Sequence, residues 1–322
     1  MISRERECIF VKDTITIRRF ENQDTGELTE LINRSILHEN RALTKTVSDI
    51  NQFLDEPGEE IRENTFVAAE HNKIIGYNSL CFVKGDAFIK VYSYGTVDPL
   101  YRRQGIGSML VKVSLQQLQQ RAKKEGIKII YNQMARIERA GQIPLAEKFG
   151  FSKHTDLLSM KLSLDRFEPK DLPKKAFVFH TPTEADAVEW ANIYNDAFTW
   201  ASDHTNLAPE NVIYEFRSSE FSTDLYILCR DRKRVPLGFI CGRIEEEGNG
   251  VISTLAVSRL SQGTGVGKVL LNQILERMQK MNIKEVRLTV DYQNPTAAIH
   301  LYRKTGFKEN GRIIQYIYEL AP

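Results

Sequence analysis

Cysteine is scarce in this chain, and its four copies (Cys8, Cys81, Cys229, Cys241) form no C-x-x-C pair. A disulfide framework is therefore not expected, and the thiols read as buried or incidental. A surplus of either charge is also missing: 44 basic residues face 42 acidic ones, for a formal charge of +2. So balanced a chain offers no electrostatic argument for nucleic acid or a membrane surface as a partner. No apolar run approaches the roughly 18 residues of a membrane span. The opening Met1-Ile2-Ser3-Arg4-Glu5-Arg6-Glu7 carries charges where a secretory leader needs an apolar segment. The expectation is a cytoplasmic protein, with the oligomeric state open. What is present is ordinary globular material, 42% hydrophobic and 27% charged over 322 residues, enough for two domains of about 150 residues each.

The chain repeats itself. Arg102-Arg103-Gln104-Gly105-Ile106-Gly107 and Gln262-Gly263-Thr264-Gly265-Val266-Gly267 each lie between an apolar strand and a helical pattern, 160 residues apart. A second echo follows at nearly the same offset, Lys148-Phe149-Gly150-Phe151 against Lys304-Thr305-Gly306-Phe307. Two landmarks kept in order indicate a duplicated domain.

Around these landmarks the halves share one element order. In the first, strands are expected at Thr14–Ile17, Thr65–Ala69, Ile74–Leu80 and Phe88–Val97, with a helix from Asp24 to Leu37. Val111, Leu115, Leu118 and Ala122 draw one apolar helical face, which Gly126 ends before a strand at Ile127–Tyr131. The stretch Leu164 to Lys175, with two prolines and seven charges, reads as a linker. In the second half, strands at Ala176–His180, Leu225–Cys229, Leu237–Ile244, Val251–Val257, Val286–Val290 and Ile313–Tyr318 alternate with helices at Thr183–Phe198, capped by Thr183, and after the second loop. The expected fold is α+β: two tandem domains, each a mixed, mostly antiparallel sheet flanked by helices. The boundaries are 1–164 for the first domain, 165–175 for the linker and 176–322 for the second.

Glycine loops at strand-to-helix junctions direct consecutive backbone N–H groups at one point, where the helix dipole adds positive charge. A phosphate is the natural occupant. A triphosphate-binding loop is excluded, because Gln262 stands where its first glycine belongs and Val269 replaces the Ser/Thr that holds magnesium. A dinucleotide fingerprint is excluded as well, since Lys268 occupies its third glycine.

What fits is [Q/R]-x-x-G-x-[G/A] followed by Asn294-Pro295-Thr296-Ala297-Ala298-Ile299-His300-Leu301-Tyr302-Arg303-Lys304-Thr305-Gly306-Phe307. Loop and tail together resemble the GCN5-related N-acetyltransferase (GNAT) superfamily across essentially the whole chain, in a tandem two-domain arrangement resembling that of mycothiol synthase. The resemblance implies an acyl-CoA-dependent N-acyltransferase using acetyl-CoA as cosubstrate and no metal. Backbone amides of Gln262, Gly263, Gly265, Gly267 and Lys268 would cradle the pyrophosphate, unless the glycines only make a turn. The main chain of Leu255 and Val257 would bond the pantetheine arm, and Asn294 would steady the coenzyme or cap the next helix. Tyr302 would return a proton to the departing thiolate, or merely pack. Many relatives carry a Glu or His on the strand before the loop, but Val251 and Ser253 stand there. Glu245, in the run Glu245-Glu246-Glu247, is the candidate base, acting through a water, or is part of a solvated hairpin end. The first half offers a second coenzyme site at Val97, Arg102, Arg103, Gly105 and Gly107. With Ala146 opposite Tyr302 and Glu138 opposite Asn294, it reads as catalytically degenerate.

The expected function is direct sequential transfer of acetyl from acetyl-CoA to a primary amine of a small molecule in the C-terminal half. The alternatives are a protein N-terminal or lysine acetyltransferase, and a non-catalytic acyl-CoA-binding module. Trp190, Tyr194, Phe198, Trp200, Asp203, His204, Tyr214 and Phe216 either wall the acceptor pocket or form core.

Overall fold

The computed structural model describes residues 9–322 except 13, 40–43, 59, 72, 86, 140, 170–176, 202–204, 220 and 246–247. The chain divides into two compact units, Met1–His154 with Ile314–Pro322, and Thr155–Ile313. None of the described helices is long and apolar enough to cross a membrane.

The first unit contains β1 (Ile9–Lys12), β2 (Ile15–Arg19), α1 (Thr25–His38), α2 (Val47–Leu54), β3 (Thr65–Glu70), β4 (Lys73–Lys84), β5 (Phe88–Val97), α3 (Ile106–Glu125), β6 (Lys128–Arg136) and α4 (Gln142–Lys148). Its sheet runs β1-β2-β3-β4-β5-β6 and is completed by the end of β13 (Lys308–Leu320), the last strand of the chain. Pairing is antiparallel from β1 to β5 and parallel between β5 and β6, which α3 connects. The α3 stripe of Ile106, Leu110, Val111, Leu118 and Ala122 seals one face of the sheet, and Leu28 and Leu31 of α1 cover the other.

The second unit contains β7 (Ser152–Ser163) from Thr155 on, β8 (Phe177–His180), α5 (Ala187–Ala197), α6 (Pro209–Phe216), β9 (Tyr226–Asp231), β10 (Pro236–Ile244), β11 (Gly250–Val257), α7 (Val266–Lys280), β12 (Glu285–Asp291) and α8 (Ala298–Thr305), and the start of β13. Its sheet order is β7-β12-β11-β10-β9-β8, with β11 and β12 parallel. Leu270, Leu271, Ile274 and Leu275 of α7 bury one face together with Ile240 and Leu288. On the other face Trp190 of α5 stacks on Phe239 at 3.7 Å between ring centroids. The mixed sheet flanked by helices is the architecture that the sequence pattern implies, in both copies.

The units do not follow chain order, which corrects the boundaries expected from sequence. The segment 155–164, assigned above to the first domain, packs in the second unit. From Leu157 to Ser163 β7 pairs antiparallel with β12, and Leu158, Met160 and Leu162 enter the core under α7. Each such side chain contributes about 1.5–3 kcal/mol by burial. The expected linker is also partly structure: Phe167 is buried in that core, and Gln279 Nε2 donates to the carbonyls of Leu164 and Phe167 at 3.0 and 2.9 Å. Residues 170–175 of that linker lie outside the described residues. Conversely, residues 314–320 belong to the first unit, where Tyr316 and Leu320 are buried and Gln315 Nε2 donates to Asn132 Oδ1 at 2.6 Å.

Both tryptophans, Trp190 and Trp200, lie in the second unit, so tryptophan fluorescence reports on that unit. Leu158→Ala is expected to destabilise it by about 2–5 kcal/mol, read as a lower urea midpoint of the fluorescence transition. An unchanged midpoint would show that β7 is not part of this core.

Candidate active site

The site begins with a strand that loses its partner. On one side β11 keeps β10 from Ile244↔Gly250 to Gly238↔Val257, except that Cys241 opposes Thr254 while Gly242 opposes Ile252. Ser253 is therefore an extra residue, a β-bulge, which increases local twist. On the other side β11 pairs with β12 only from Gly250↔Val286 to Ile252↔Leu288, although the two strands continue to Val257 and Asp291. Past the bulge they part. The Ser258 N–H donates to the Leu237 carbonyl at 3.0 Å. By strand alternation the main-chain groups of Leu255 and Val257 then face away from β10, toward the parting. Their side chains pack against the α7 core. Main-chain groups of this kind suit an extended ligand that adds as a strand would.

The glycine loop closes the mouth of the parting. Gly263 and Gly265 hold φ of 77° and 94°, left-handed values that glycine adopts without strain, and Gly265 is the N-cap of α7. No side chain caps that helix. Among the described residues the N–H groups of Gly263, Gly265, Val266, Gly267 and Lys268 have no hydrogen-bond partner, and the exposed Lys268 has no ion pair. Four consecutive free donors and an ammonium at a helix N-terminus are a geometry that suits an anion.

Two loop residues behave otherwise than expected. The Gln262 N–H is spent on the turn, donating to Ser258 and Arg259 carbonyls at 3.1 and 3.3 Å, so it is not free for a phosphate. Its side chain works instead: Nε2 donates to the Val257 carbonyl at 3.1 Å and holds the loop to the strand. At Gly267 a Cβ would meet Leu301 and Val257 methyls at 3.6 Å, an ordinary contact, so glycine is not demanded there. Sequence reasoning also missed Asp196. Its carboxylate accepts from the Arg259 N–H at 2.7 Å and from Arg259 Nε at 2.8 Å, tying the loop to α5. These bonds, the main-chain one first, hold the Asp196 carboxyl below its ordinary range.

Tyr302 projects from α8 beneath the sheet, edge-on to Phe307 at 5.8 Å between centroids. It is buried, its hydroxyl has no hydrogen-bond partner among the described residues, and burial pushes its pKa up to about 12. The phenol therefore keeps its proton at neutral pH. Glu245 lies at the β10–β11 hairpin, and its carboxylate accepts from Arg243 at 3.1 Å. The same guanidinium donates to the bulged Ser253 Oγ at 3.0 Å. Glu245 thus meets the bulge through Arg243; Glu246 and Glu247 lie outside the described residues. Asn294 Oδ1 accepts the Thr296 N–H at 2.8 Å in the turn before α8, whose N-cap is Ala297, so Asn294 does not cap that helix. Of the aromatic residues weighed as a pocket wall, Trp190 and Phe216 are buried core, and Tyr194 and Phe198 pack against the same cluster. Asp203 and His204 lie outside the described residues.

The first unit repeats the loop and departs elsewhere. Arg103 and Gly105 hold φ of 64° and 90°, and Arg102 Nε donates to the Val97 carbonyl at 3.1 Å, as Gln262 does to Val257. Gly107 makes the same kind of ordinary contact as Gly267, with Leu145 at 3.6 Å from an ideal Cβ. No bulge occurs, however: β4 and β5 pair without a shift from Gly76↔Val97 to Lys84↔Ile89. Ala146 stands in place of the phenol, and a hydrogen-bonded group of Asn78, Ser93, Ser114 and Tyr131 lies under the sheet there.

Comparison with known proteins gives the family. Residues 187–307 match the Acetyltransferase (GNAT) family, and residues 62–153 match an Acetyltransferase (GNAT) domain. A mycothiol acetyltransferase of Renibacterium salmoninarum is 27% identical over 235 residues, 70% of this chain and 66% of that protein. Among solved structures, a GCN5-related N-acetyltransferase from Sphaerobacter thermophilus superposes with a TM-score of 0.71 at 19% identity, over 97% of this chain and 98% of that one. A tandem GNAT protein from the clavulanic acid biosynthesis pathway gives 0.67 at 17%, covering 98% of each chain. At such identities these structures speak for the fold.

Two outcomes follow from the site. Gly265→Asp places a carboxylate among the free amides; calorimetry is expected to show loss of acetyl-CoA binding, and left-handed strain to lower stability by about 1–2 kcal/mol, read as a lower tryptophan-detected urea midpoint. Tyr302 links stability to pH. An unfolded tyrosine loses its proton near pH ~10, whereas the folded one holds it to about 12. The stability this gives is complete below about pH 10 and lost as pH rises toward 12. Urea midpoints at pH 9 and pH 11 are expected to fall less in Tyr302→Phe than in the parent.

Proposed function

Because this chain belongs to the GCN5-related N-acetyltransferase superfamily and carries its domain twice, we propose that its second unit moves an acetyl group from acetyl-CoA to the primary amine of a small molecule. The observation that carries this reading is the conjunction at one end of β11. Free amides and Lys268 lie at the mouth, the Leu255 main chain and the Val257 N–H lie along the strand with no partner among the described residues, and a buried phenol lies beneath it. Phosphates at the mouth would leave the pantetheine to run along β11 toward the bulge. The Renibacterium relative, a mycothiol acetyltransferase, supports acetyl as the group moved and a small molecule over a protein as its acceptor.

The thioester supplies an activated acyl carbon and a sulfur leaving group. The parted strands hold it in line with the bulge, and positioning of an amine against that carbon is worth about 7–11 kcal/mol of barrier. As the C–N bond forms and the C–S bond breaks, Tyr302 Oη holds the proton that sulfur takes, and solvent restores it. The proton lost by nitrogen leaves to water. The buried Cys229 and Cys241 thiols are pushed well above their ordinary range by desolvation, which disfavours a thiolate nucleophile and supports direct transfer. The first unit has the loop without the phenol and the bulge, and we assign it no transfer chemistry.

Tyr302→Phe is expected to lower kcat by about 10²–10⁴-fold while acetyl-CoA still binds in calorimetry. Release of free thiol at the parent rate would remove Tyr302 from the mechanism.

A further inference from the structure

Resting on that reading, the two copies of the fold show what holds the coenzyme loop in shape. α1 and α5 start from corresponding capping boxes, closed by Asp24 in one copy and Asp186 in the other. Counted from there, Asn33 corresponds to Asn195 and Arg34 to Asp196. The two asparagines do the same work. Asn33 exchanges two hydrogen bonds with the main chain of Lys45, at 2.7 and 2.9 Å, and Asn195 two with that of Leu207, at 2.7 and 3.0 Å. The C-terminal part of the helix is thereby fixed, in both copies, to the segment that leads into the next helix.

The next residue of each helix reaches the turn before the glycine loop, and there the charges are exchanged. In the first copy the helix supplies the cation: Arg34 Nε donates to Oδ2 of the buried Asp98 at 2.9 Å. In the second it supplies the anion: Asp196 accepts from Arg259 Nε at 2.8 Å and from the Arg259 N–H at 2.7 Å. Backbone chemistry accounts for the exchange. Counted from Gly105 and Gly265, Asp98 corresponds to Ser258 and Pro99 to Arg259. The N–H groups of Asp98 and Ser258 donate to the carbonyls of Ile75 and Leu237 at 2.9 and 3.0 Å, so the main chains correspond as well. Pro99 has no N–H to satisfy. Asp98 caps the following amide, that of Leu100, at 3.1 Å and is left to pair with an arginine. Arg259, by contrast, brings an N–H at the first position of the 3-10 turn Arg259–Ser261. The Ser258 hydroxyl does not cap it but is turned to Ser261 Oγ at 2.9 Å, so the acceptor has to come from outside the turn.

We infer that Asp196 is a positioning residue for the coenzyme: by capping the Arg259 N–H from the fixed end of α5, it preorganises the turn that presents the loop amides to the pyrophosphate. A loop already held in its bound shape does not have to be ordered when the ligand arrives. The cap matters more than the ion pair, because the Arg259 side chain is 66% exposed and such pairs contribute little. The first copy reaches the same end with the charges reversed.

Calorimetric titration of acetyl-CoA into the full chain and four variants tests the assignment. Asp196→Ala is expected to weaken binding about tenfold. Asp196→Asn keeps an acceptor oxygen and is expected to lose less. Arg259→Ala keeps both the amide and its cap, and is expected to lose less than about fivefold. Free coenzyme A is expected to lose affinity in the same ratios, because the assigned role concerns the phosphates alone. The triple variant Asp196→Arg, Ser258→Asp, Arg259→Pro installs the first copy's arrangement and is expected to recover most of the loss. Parent affinity in Asp196→Ala would overturn the assignment, as would a loss in Arg259→Ala equal to that in Asp196→Ala. A triple variant with the parent's tryptophan-detected urea midpoint that binds no better than Asp196→Ala would overturn it too. If the triple variant does not fold, the two alanine variants decide. Failure of the parent to bind acetyl-CoA would instead remove the reading of the site itself.

Discussion

Backbone hydrogen bonds must be satisfied, and at one place in the second unit they are withheld. β11 is fully paired with β10, yet it keeps β12 for three residues only, and the bulge at Ser253 marks where the pairing stops. Leaving such groups unpaired and shielded from water costs about 1–3 kcal/mol each, so the gap is useful only if something extended fills it. The surroundings serve that gap: Gln262 and Asp196 fix the loop at its mouth, α7 and α8 seal its floor, and Gly265 turns the first amides of α7 toward it. Tyr302 then lies on one of its faces, holding a proton.

Duplication shows which parts of this arrangement are separable. The left-handed pair at positions 103 and 105 reproduces that at 263 and 265, even though an arginine must adopt the first of them. The arginine or glutamine that binds the strand carbonyl is likewise kept in function, through Nε in one copy and Nε2 in the other. The phenol and the bulge are not kept. A loop and a strand end can therefore persist as a binding geometry after the groups assigned to transfer are gone.

Much of this was legible from residue order. The repeat, the mixed sheets and the glycine-loop setting follow from turn chemistry and periodicity, because each depends on neighbours in the chain. The strand exchange was not legible. Leu158, Met160 and Leu162 alternate as a strand should, but alternation is silent about which sheet receives it, and the charges after Leu164 masked the buried Phe167. The site divides on the same line. Gly263, Gly265 and Tyr302 stand out by type and spacing. Asp196 lies 63 residues from the loop it restrains. Gln262 was read as a phosphate-binding amide, whereas its N–H is spent in the turn and its side chain ties the loop to Val257.

Amide hydrogen exchange with and without acetyl-CoA tests the central claim most directly. The account predicts that the ligand slows exchange at Leu255 and Val257 and at Gly263, Gly265, Val266, Gly267 and Lys268, while the Gln262 amide, already bonded in its turn, changes least in the loop. Binding without protection along β11, or with protection confined to other strands, would contradict it.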